Sequence, residues 1–143
     1  MARRRAFRMG AVWPWYLAVI ADVYRAAGRI DDGFRALDEA MEWVQRNDER
    51  LYLAEVFRIR GELLLLREVP HEAENCFQQA LTVARDQQAK SWELRAATSL
   101  ARMWLQQNRV DEARALLAPV YHWFTEGFDT ADLIEAQALL DEL

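Results

Sequence analysis

Small and bulky residues recur at intervals of forty positions along this chain. Three small residues that stand forty apart are Gly33, Ala73 and Ala113. Two further columns share the interval, one small and one large: Ala21, Gly61 and Ala101; Tyr24, Leu64 and Trp104. A period of about 20–50 residues indicates stacked supersecondary units, each of which buries its apolar face only against a neighbour. The columns therefore predict a repeat protein.

Within each unit, the apolar residues follow the period of two amphipathic helices. Gly28 and Asn108 suit the left-handed residue that ends a helix. Three residues are predicted to cap the next helix with their side chains: Asp31, Asp111 and Thr130. We therefore predict an all-α fold, an alpha-alpha superhelix (solenoid) of three helix pairs of about forty residues and a C-terminal capping helix. The predicted segments are a flexible basic segment at 1–11, units at about 12–50, 51–90 and 91–129, and the cap at 130–143.

Composition favours a folded, mildly acidic domain. The chain has 143 residues, of which 18 are basic and 23 acidic, and 52% are hydrophobic. The acidic balance disfavours nucleic-acid binding by the folded body. The single cysteine, Cys76, excludes an internal disulfide and gives no sign of an oxidising compartment. Since no apolar stretch reaches the ~18 residues of a membrane-spanning helix, we expect a cytoplasmic protein without a membrane contact.

The N-terminus is rich in arginine and resembles the start of an export signal. The arginines are Arg3, Arg4, Arg5 and Arg8. The apolar run that follows contains Pro14 and three aromatic residues and lacks a small-residue cleavage site. Residues 12–27 also fit the repeat columns, so we expect the arginines to form a frayed, solvated start to the chain.

The columns resemble the tetratricopeptide repeat, whose signature runs W-x2-L-G-x2-Y, then A-x3-F, then P. The residues that carry the resemblance are Leu17, Ile20, Ala21, Tyr24, Gly33 and Leu37; Phe57, Arg60, Gly61, Leu64, Ala73 and Phe77; Ala97, Leu100, Ala101, Trp104, Ala113 and Leu117. The period is forty rather than thirty-four, and the closing Pro column is missing. The resemblance covers the chain from about Val12 and implies a solenoid that binds other proteins.

Three stretches are also similar to the C-terminal repeat tail of large bacterial signalling proteins: 55–64, 94–101 and 123–130. In that family, an adenylate/guanylate cyclase-like or LuxR-type DNA-binding module is joined to a predicted ATPase, and a repeat array follows. The phosphate-binding motif G-x-x-x-x-G-K-[ST] of such an ATPase does not occur in this sequence. The resemblance implies a regulatory or scaffolding segment of a signalling or transcription-regulatory system.

Residue types that support catalysis or metal binding do not cluster along the chain. His71 and His122 lack a second His or a Cys at ligand spacing, and Cys76 has no base nearby in sequence. Acidic pairs such as Asp111–Glu112 stand at helix starts, where they favour the helix dipole. We therefore expect no enzyme activity, no cofactor and no metal.

The resemblance places the first helix of each pair along a concave groove. In the groove columns, arginines could hold a partner's carboxylates and leucines could take an apolar anchor. The candidate binding residues are Trp15, Arg58, Glu62, Leu65, Leu66, Arg95, Arg102 and Leu105. The alternative is that charges such as Arg58 and Glu62 form solvated pairs within one helix. The expected partner is a protein or a peptide.

The first helix offers Trp13, Trp15 and Tyr16 without a preceding unit to cover them. An uncovered aromatic patch typically marks an interface, so we predict a homo-oligomer, or docking on an upstream domain, through this helix. Two other classes of function stay open. One is a nucleic-acid-associated regulator that uses the N-terminal arginines, and the other is a small helical enzyme.

Overall fold

A computed structural model of the protein describes residues 2–143, with side chains described from Val12 onward. Over this range the secondary structure consists of seven helices and no strand. The helices are α1 (Ala2–Ala26), α2 (Ile30–Asn47), α3 (Leu53–Leu66), α4 (Pro70–Asp86), α5 (Lys90–Gln106), α6 (Val110–His122) and α7 (Ala131–Glu142). The predicted all-α helical-repeat class is confirmed. No helix in the described range is long and apolar enough to cross a membrane.

Residues in the left-handed conformation mark the end of each half-repeat. They stand twenty positions apart, with φ between 50° and 74°: Gly28, Asp48, Glu68, Gln88 and Asn108. At the first of these turns, the Arg29 N–H donates to the Tyr24 carbonyl at 2.8 Å and the Gly28 N–H donates to the Arg25 carbonyl at 3.1 Å. This double closure is the Schellman arrangement. Gly28 and Asn108 therefore end helices as predicted.

The predicted side-chain caps are wrong. The residue before α2 is Arg29, and no side chain caps this helix, because the tight turn lets α2 begin at Ile30 and places Asp31 inside its first turn. Asp111 lies inside the first turn of α6 in the same way. Thr130 does precede α7, but its hydroxyl donates to the Gly127 carbonyl at 2.7 Å instead of accepting from the helix. The two aspartates instead complement the helix dipole.

α1 begins at Ala2, whereas the first repeat unit was expected from about Val12. The side chains of residues 1–11 lie outside the described part of the chain, so the flexibility expected for this segment stays a prediction.

The chain divides into two compact units, Met1–Cys76 (unit 1) and Phe77–Leu143 (unit 2), with the boundary inside α4. In unit 1, α1 packs along α2, and α3 packs against both. Leu37, Val56 and Leu63 are fully buried in this core. A Cβ on Gly33 would lie 3.0 Å from a Leu63 methyl, which is closer than ordinary van der Waals contact. The column of small residues therefore marks a close approach between helices.

In unit 2, α5 packs along α6, and α7 packs against both. The small residues Ala101 and Ala113 are completely buried, as their columns predict. α7 buries Leu133, Ala136 and Leu139 on one side. Glu135, Asp141 and Glu142 of α7 are exposed, and so is the apolar residue Ile134. The role of α7 as a cap stays a prediction.

Candidate functional site

Arg58 lies at the centre of an ion cluster on α3. Its Nε and Nη2 donate to the two carboxylate oxygens of Glu55 at 2.7 and 2.9 Å, and its Nη1 lies 4.0 Å from Glu62. The side chains of Arg58 and Glu55 are only 11% and 5% exposed. Burial alone would lower the pKa of Arg58, but the Glu55 hydrogen bond and the charges of Glu55, Glu62 and Asp22 outweigh it and raise the pKa. Arg58 is therefore a charged side chain in a fixed position.

Sequence reasoning selected Arg58 and Glu62 and considered a pair between them, but it did not pair Arg58 with Glu55, which also stands in a groove column. The stronger contact is the bidentate pair that Arg58 forms with Glu55 across three residues of the same helix. The spacing Glu55-x-x-Arg58 was the available signal, because residues three apart on a helix are neighbours. A partner carboxylate would have to compete with Glu55 for the guanidinium group.

The apolar candidates of unit 1 lie near opposite ends of α3: Trp15, on α1, lies near its start, and Leu65 and Leu66 lie at its end. The Trp15 ring packs on Tyr52, just before α3, with ring centroids 6.4 Å apart. Leu65 is half-buried and Leu66 is exposed, and both lie at the end of the helix. α3 has 14 residues and is therefore about 20 Å long. The structure thus brings Leu65 and Leu66 together but keeps Trp15 apart from them.

The arginines of unit 2 bind α7. The Nε of Arg95 lies 3.5 Å from an oxygen of Asp132, and Arg102 forms an ion pair with Glu135. Leu105 is half-buried near the end of α5. Sequence reasoning missed these acidic partners, although α7 stands forty residues after α5 and is the next first helix in the repeat. The arginines therefore already hold carboxylates of their own chain.

The aromatic residues on α1 form an exposed patch. The rings of Trp13 and Tyr16 are stacked, with centroids 5.6 Å apart and planes at 23°. Val12, Val19 and Val23 are also exposed, so the apolar surface continues along the helix. The structure thus shows an uncovered aromatic surface at the predicted residues.

Two further features were missed by sequence reasoning. Exposed Trp123 and Phe128 flank the turn between α6 and α7, where Phe128 packs on Tyr121 with ring centroids 5.8 Å apart. In unit 1, an open cavity of about 360 Å³ lies between the end of α2 and the start of α3. It is lined by Met41, Val44, Gln45, Asp48, Arg50, Leu53 and Phe57. Both features depend on the backbone path of a turn between two helices, and the periodicity of the sequence does not predict that path.

The described residues contain no group of three His, Cys, Asp or Glu side chains that could hold a metal ion. Cys76 is buried, and burial raises the pKa of its thiol, with Glu72 adding to the rise and Arg60 opposing it. A thiol with a raised pKa is a poor nucleophile. The side chains of Arg3, Arg4, Arg5 and Arg8 lie outside the described residues, so nucleic-acid binding through them stays untested.

Comparison with known proteins identifies the repeat. The family model of the tetratricopeptide repeat matches residues 15–86, which are 72 of the 143 residues. Comparisons with curated proteins and with solved structures gave no match. The matched range runs from within α1 to the end of α4. Tetratricopeptide repeats commonly mediate protein–protein interaction. The chain belongs to the tetratricopeptide repeat family.

Proposed function

We propose that this chain is a non-catalytic protein-interaction module, used as a regulatory or scaffolding repeat segment in a cytoplasmic bacterial signalling or transcription-regulatory system. Family membership supports the interaction role. The signalling context is supported by the likeness of the stretches 55–64, 94–101 and 123–130 to the repeat tails of such proteins.

The observation that carries this proposal is the exposed apolar end of α3. Leu66 is 47% exposed, and it stands beside half-buried Leu65 on a first helix of the repeat. Arg58 is paired within its own helix, so the leucines are the side chains best suited to receive a partner. We propose that a partner peptide inserts an apolar side chain against Leu65 and Leu66.

A second contact surface is proposed on α1. Trp13, Trp15 and Tyr16 are exposed aromatic residues, and Trp and Tyr are enriched in protein interfaces. We propose that this surface supports self-association or docking on another domain.

The interaction role is tested by capture of partners from a bacterial lysate on the immobilised chain, quantified by mass spectrometry. Leu66→Asp is compared with Leu51→Asp, because Leu51 is similarly exposed, at 52%, but lies in the turn before α3. The expected result is a protein that the wild type and Leu51→Asp retain and Leu66→Asp loses. Equal retention by all three chains, or no retention above bare resin, contradicts the proposal.

Charge reversal of Arg95 or Arg102 is unsuitable for this test. A glutamate at either position would face Asp132 or Glu135. Repulsion between these carboxylates would disturb the packing of α7 and not only a binding surface.

A further inference from the structure

One face of α1 is exposed, although the same face is buried in every other first helix of the chain. The positions equivalent to Tyr16 and Val19 in α3, α5 and α7 are at most 5% exposed: Val56, Ala96 and Ala136; Ile59, Ser99 and Leu139. Tyr16 and Val19 themselves are 50% and 41% exposed. α3 buries this face against α1 and α2. Among the described residues, α1 therefore carries the packing face of a first helix without a helix on it.

The exposed residues of this face follow the spacing of a helix–helix seam. Val12, Tyr16, Val19 and Val23 are separated by four, three and four positions, and all four are exposed. Alternating steps of three and four keep side chains on one stripe along a helix, which suits packing against another helix. Trp13 and Trp15 lie on the two sides of this stripe. We call Val12, Trp13, Trp15, Tyr16, Val19 and Val23 the α1 seam.

The α1 seam has the area of a small, specific interface. Three aromatic residues that expose about 40–50% of ~200 Å² each, together with three half-exposed valines, give about 450 Å² of apolar surface. Two such surfaces would bury about 900 Å², and polar neighbours add to this sum, against the ~1,000 Å² expected of a specific interface. A contact of this size fits a weak, micromolar dimer.

Two observations favour a second copy of α1 over a preceding repeat hairpin or α7 of another molecule. α1 runs back to Ala2, whereas α3 begins at Leu53, the equivalent of Trp13. A hairpin joined by a turn like that before α3 would require α1 to begin near Trp13. The last helix, α7, carries exposed Asp141 in the column of Ala21, and a charged residue there does not suit close helix packing.

We propose that the α1 seam is covered by the α1 seam of a second copy of this chain, in an antiparallel two-fold pair. The large residues Trp13 and Tyr16 stand towards one end of the seam, and Val19 and Val23 towards the other. Antiparallel pairing places Trp13 against Val23 of the second copy, so that large side chains face small ones along the contact. Parallel pairing would place Trp13 on Trp13 and hold the valines apart. The two-fold axis then passes near Ala18, midway between Trp13 and Val23.

The inference rests on the contact surface proposed for α1, and it is independent of partner binding at Leu66. Its test is the mass of the full chain in solution, measured by sedimentation across the micromolar range. The double variant Val19→Glu/Val23→Glu is compared with Ile134→Glu, because Ile134 is an exposed apolar residue on α7. The expected result is a dimer for the wild type and Ile134→Glu and a monomer with an unchanged circular-dichroism spectrum for the double variant.

A wild-type chain that stays monomeric overturns the proposal, as does a double variant that still forms dimers. If the double variant unfolds, dilution of the wild type decides, because a weak dimer must dissociate with its helical signal unchanged. Retention of a lysate protein by a monomeric wild type would overturn this inference and leave the proposed function standing. A wild-type dimer that retains no lysate protein would contradict the proposed function and leave this inference standing.

Cysteine cross-linking tests the direction of the helices. In the antiparallel pair, the two copies of position 19 lie close to the axis, whereas the two copies of position 23 are about 15 Å apart along it. A disulfide needs Cα atoms within ~7 Å. Oxidation should therefore join Val19→Cys chains but not Val23→Cys chains, with buried Cys76 present in both. Cross-linking of Val23→Cys overturns the antiparallel arrangement, and failure of Val19→Cys overturns the pairing.

Discussion

Replacement of Gly33 by alanine tests whether the column of small residues marks close helix packing. A Cβ at this position would lie 3.0 and 3.1 Å from the two methyl groups of Leu63 and 3.4 Å from the Ala21 carbonyl oxygen. Attractive contact between carbon atoms occurs at about 3.5–4.0 Å. Leu63 is completely buried, so its methyl groups have little room to move.

Two opposing effects set the size of the change. Alanine favours a helix over glycine by up to about 1 kcal/mol, whereas an extra methyl group in a filled core costs about 1–3 kcal/mol. We expect Gly33→Ala to lower the free energy of unfolding by about 1 kcal/mol. With a denaturant slope near 2 kcal/mol/M, the urea midpoint followed by circular dichroism should fall by about 0.5 M.

The same substitution in a Leu63→Ala background separates the two effects. Leu63→Ala alone should cost about 2–5 kcal/mol, but it removes the methyl groups that the new Cβ at position 33 would meet. Gly33→Ala should then stabilise the chain by up to about 1 kcal/mol, because only the helix preference remains. If Gly33→Ala stabilises the wild type as much as it stabilises Leu63→Ala, the close approach is not what keeps this position small.

Arg58→Met should lower the free energy of unfolding by about 2–4 kcal/mol, because Glu55 is buried and loses both guanidinium hydrogen bonds. Arg46→Met is the control, because its pair with Glu42 is well exposed. In urea unfolding, the control should lower the free energy by less than about 0.5 kcal/mol. A shift of equal size in both variants would contradict this. Cys76 has a raised pKa in the folded chain, so its contribution to stability is complete below the pKa of the unfolded thiol and is lost as the pH rises through the folded value. The unfolding free energy of the wild type, measured from neutral pH to about pH 10, should therefore fall more steeply above about pH 9 than that of Cys76→Ala, and parallel curves would refute the assignment.

The helical-repeat architecture was predictable because equivalent positions bring the helices together in each repeat. The small columns follow from close helix approach, as at Gly33, and two of the left-handed turns follow from residues that tolerate positive φ, Gly28 and Asn108. Glu68 and Gln88 adopt the same conformation, although their residue types do not favour it. The exact first residue of a helix was not predictable in this way. Backbone closure of the turn places Arg29 before α2, two positions earlier than predicted, and makes Asp31 the second residue of the helix.

The charged part of the candidate site was harder to predict than the helices. Periodicity tells which side of a helix a residue occupies, but a long arginine side chain reaches several acids from one position. Arg95 pairs with Asp132, which lies on a different helix. The repeat predicts which helices are neighbours, because α7 packs against α5 as α3 packs against α1. Extending the forty-residue period from residue types to helix–helix contacts brings α5 beside α7, and therefore Arg95 near Asp132.

The first and the last helix, α1 and α7, differ in the residues that they expose. On α7, Leu133, Ala136 and Leu139 are buried, and Asp141 stands exposed in a column that is otherwise small and buried. On α1, the equivalent packing face is apolar and exposed. About 900 Å² of buried surface in a pair lies just below the ~1,000 Å² expected of a specific interface. A contact of this size supports a weak, reversible pairing at α1.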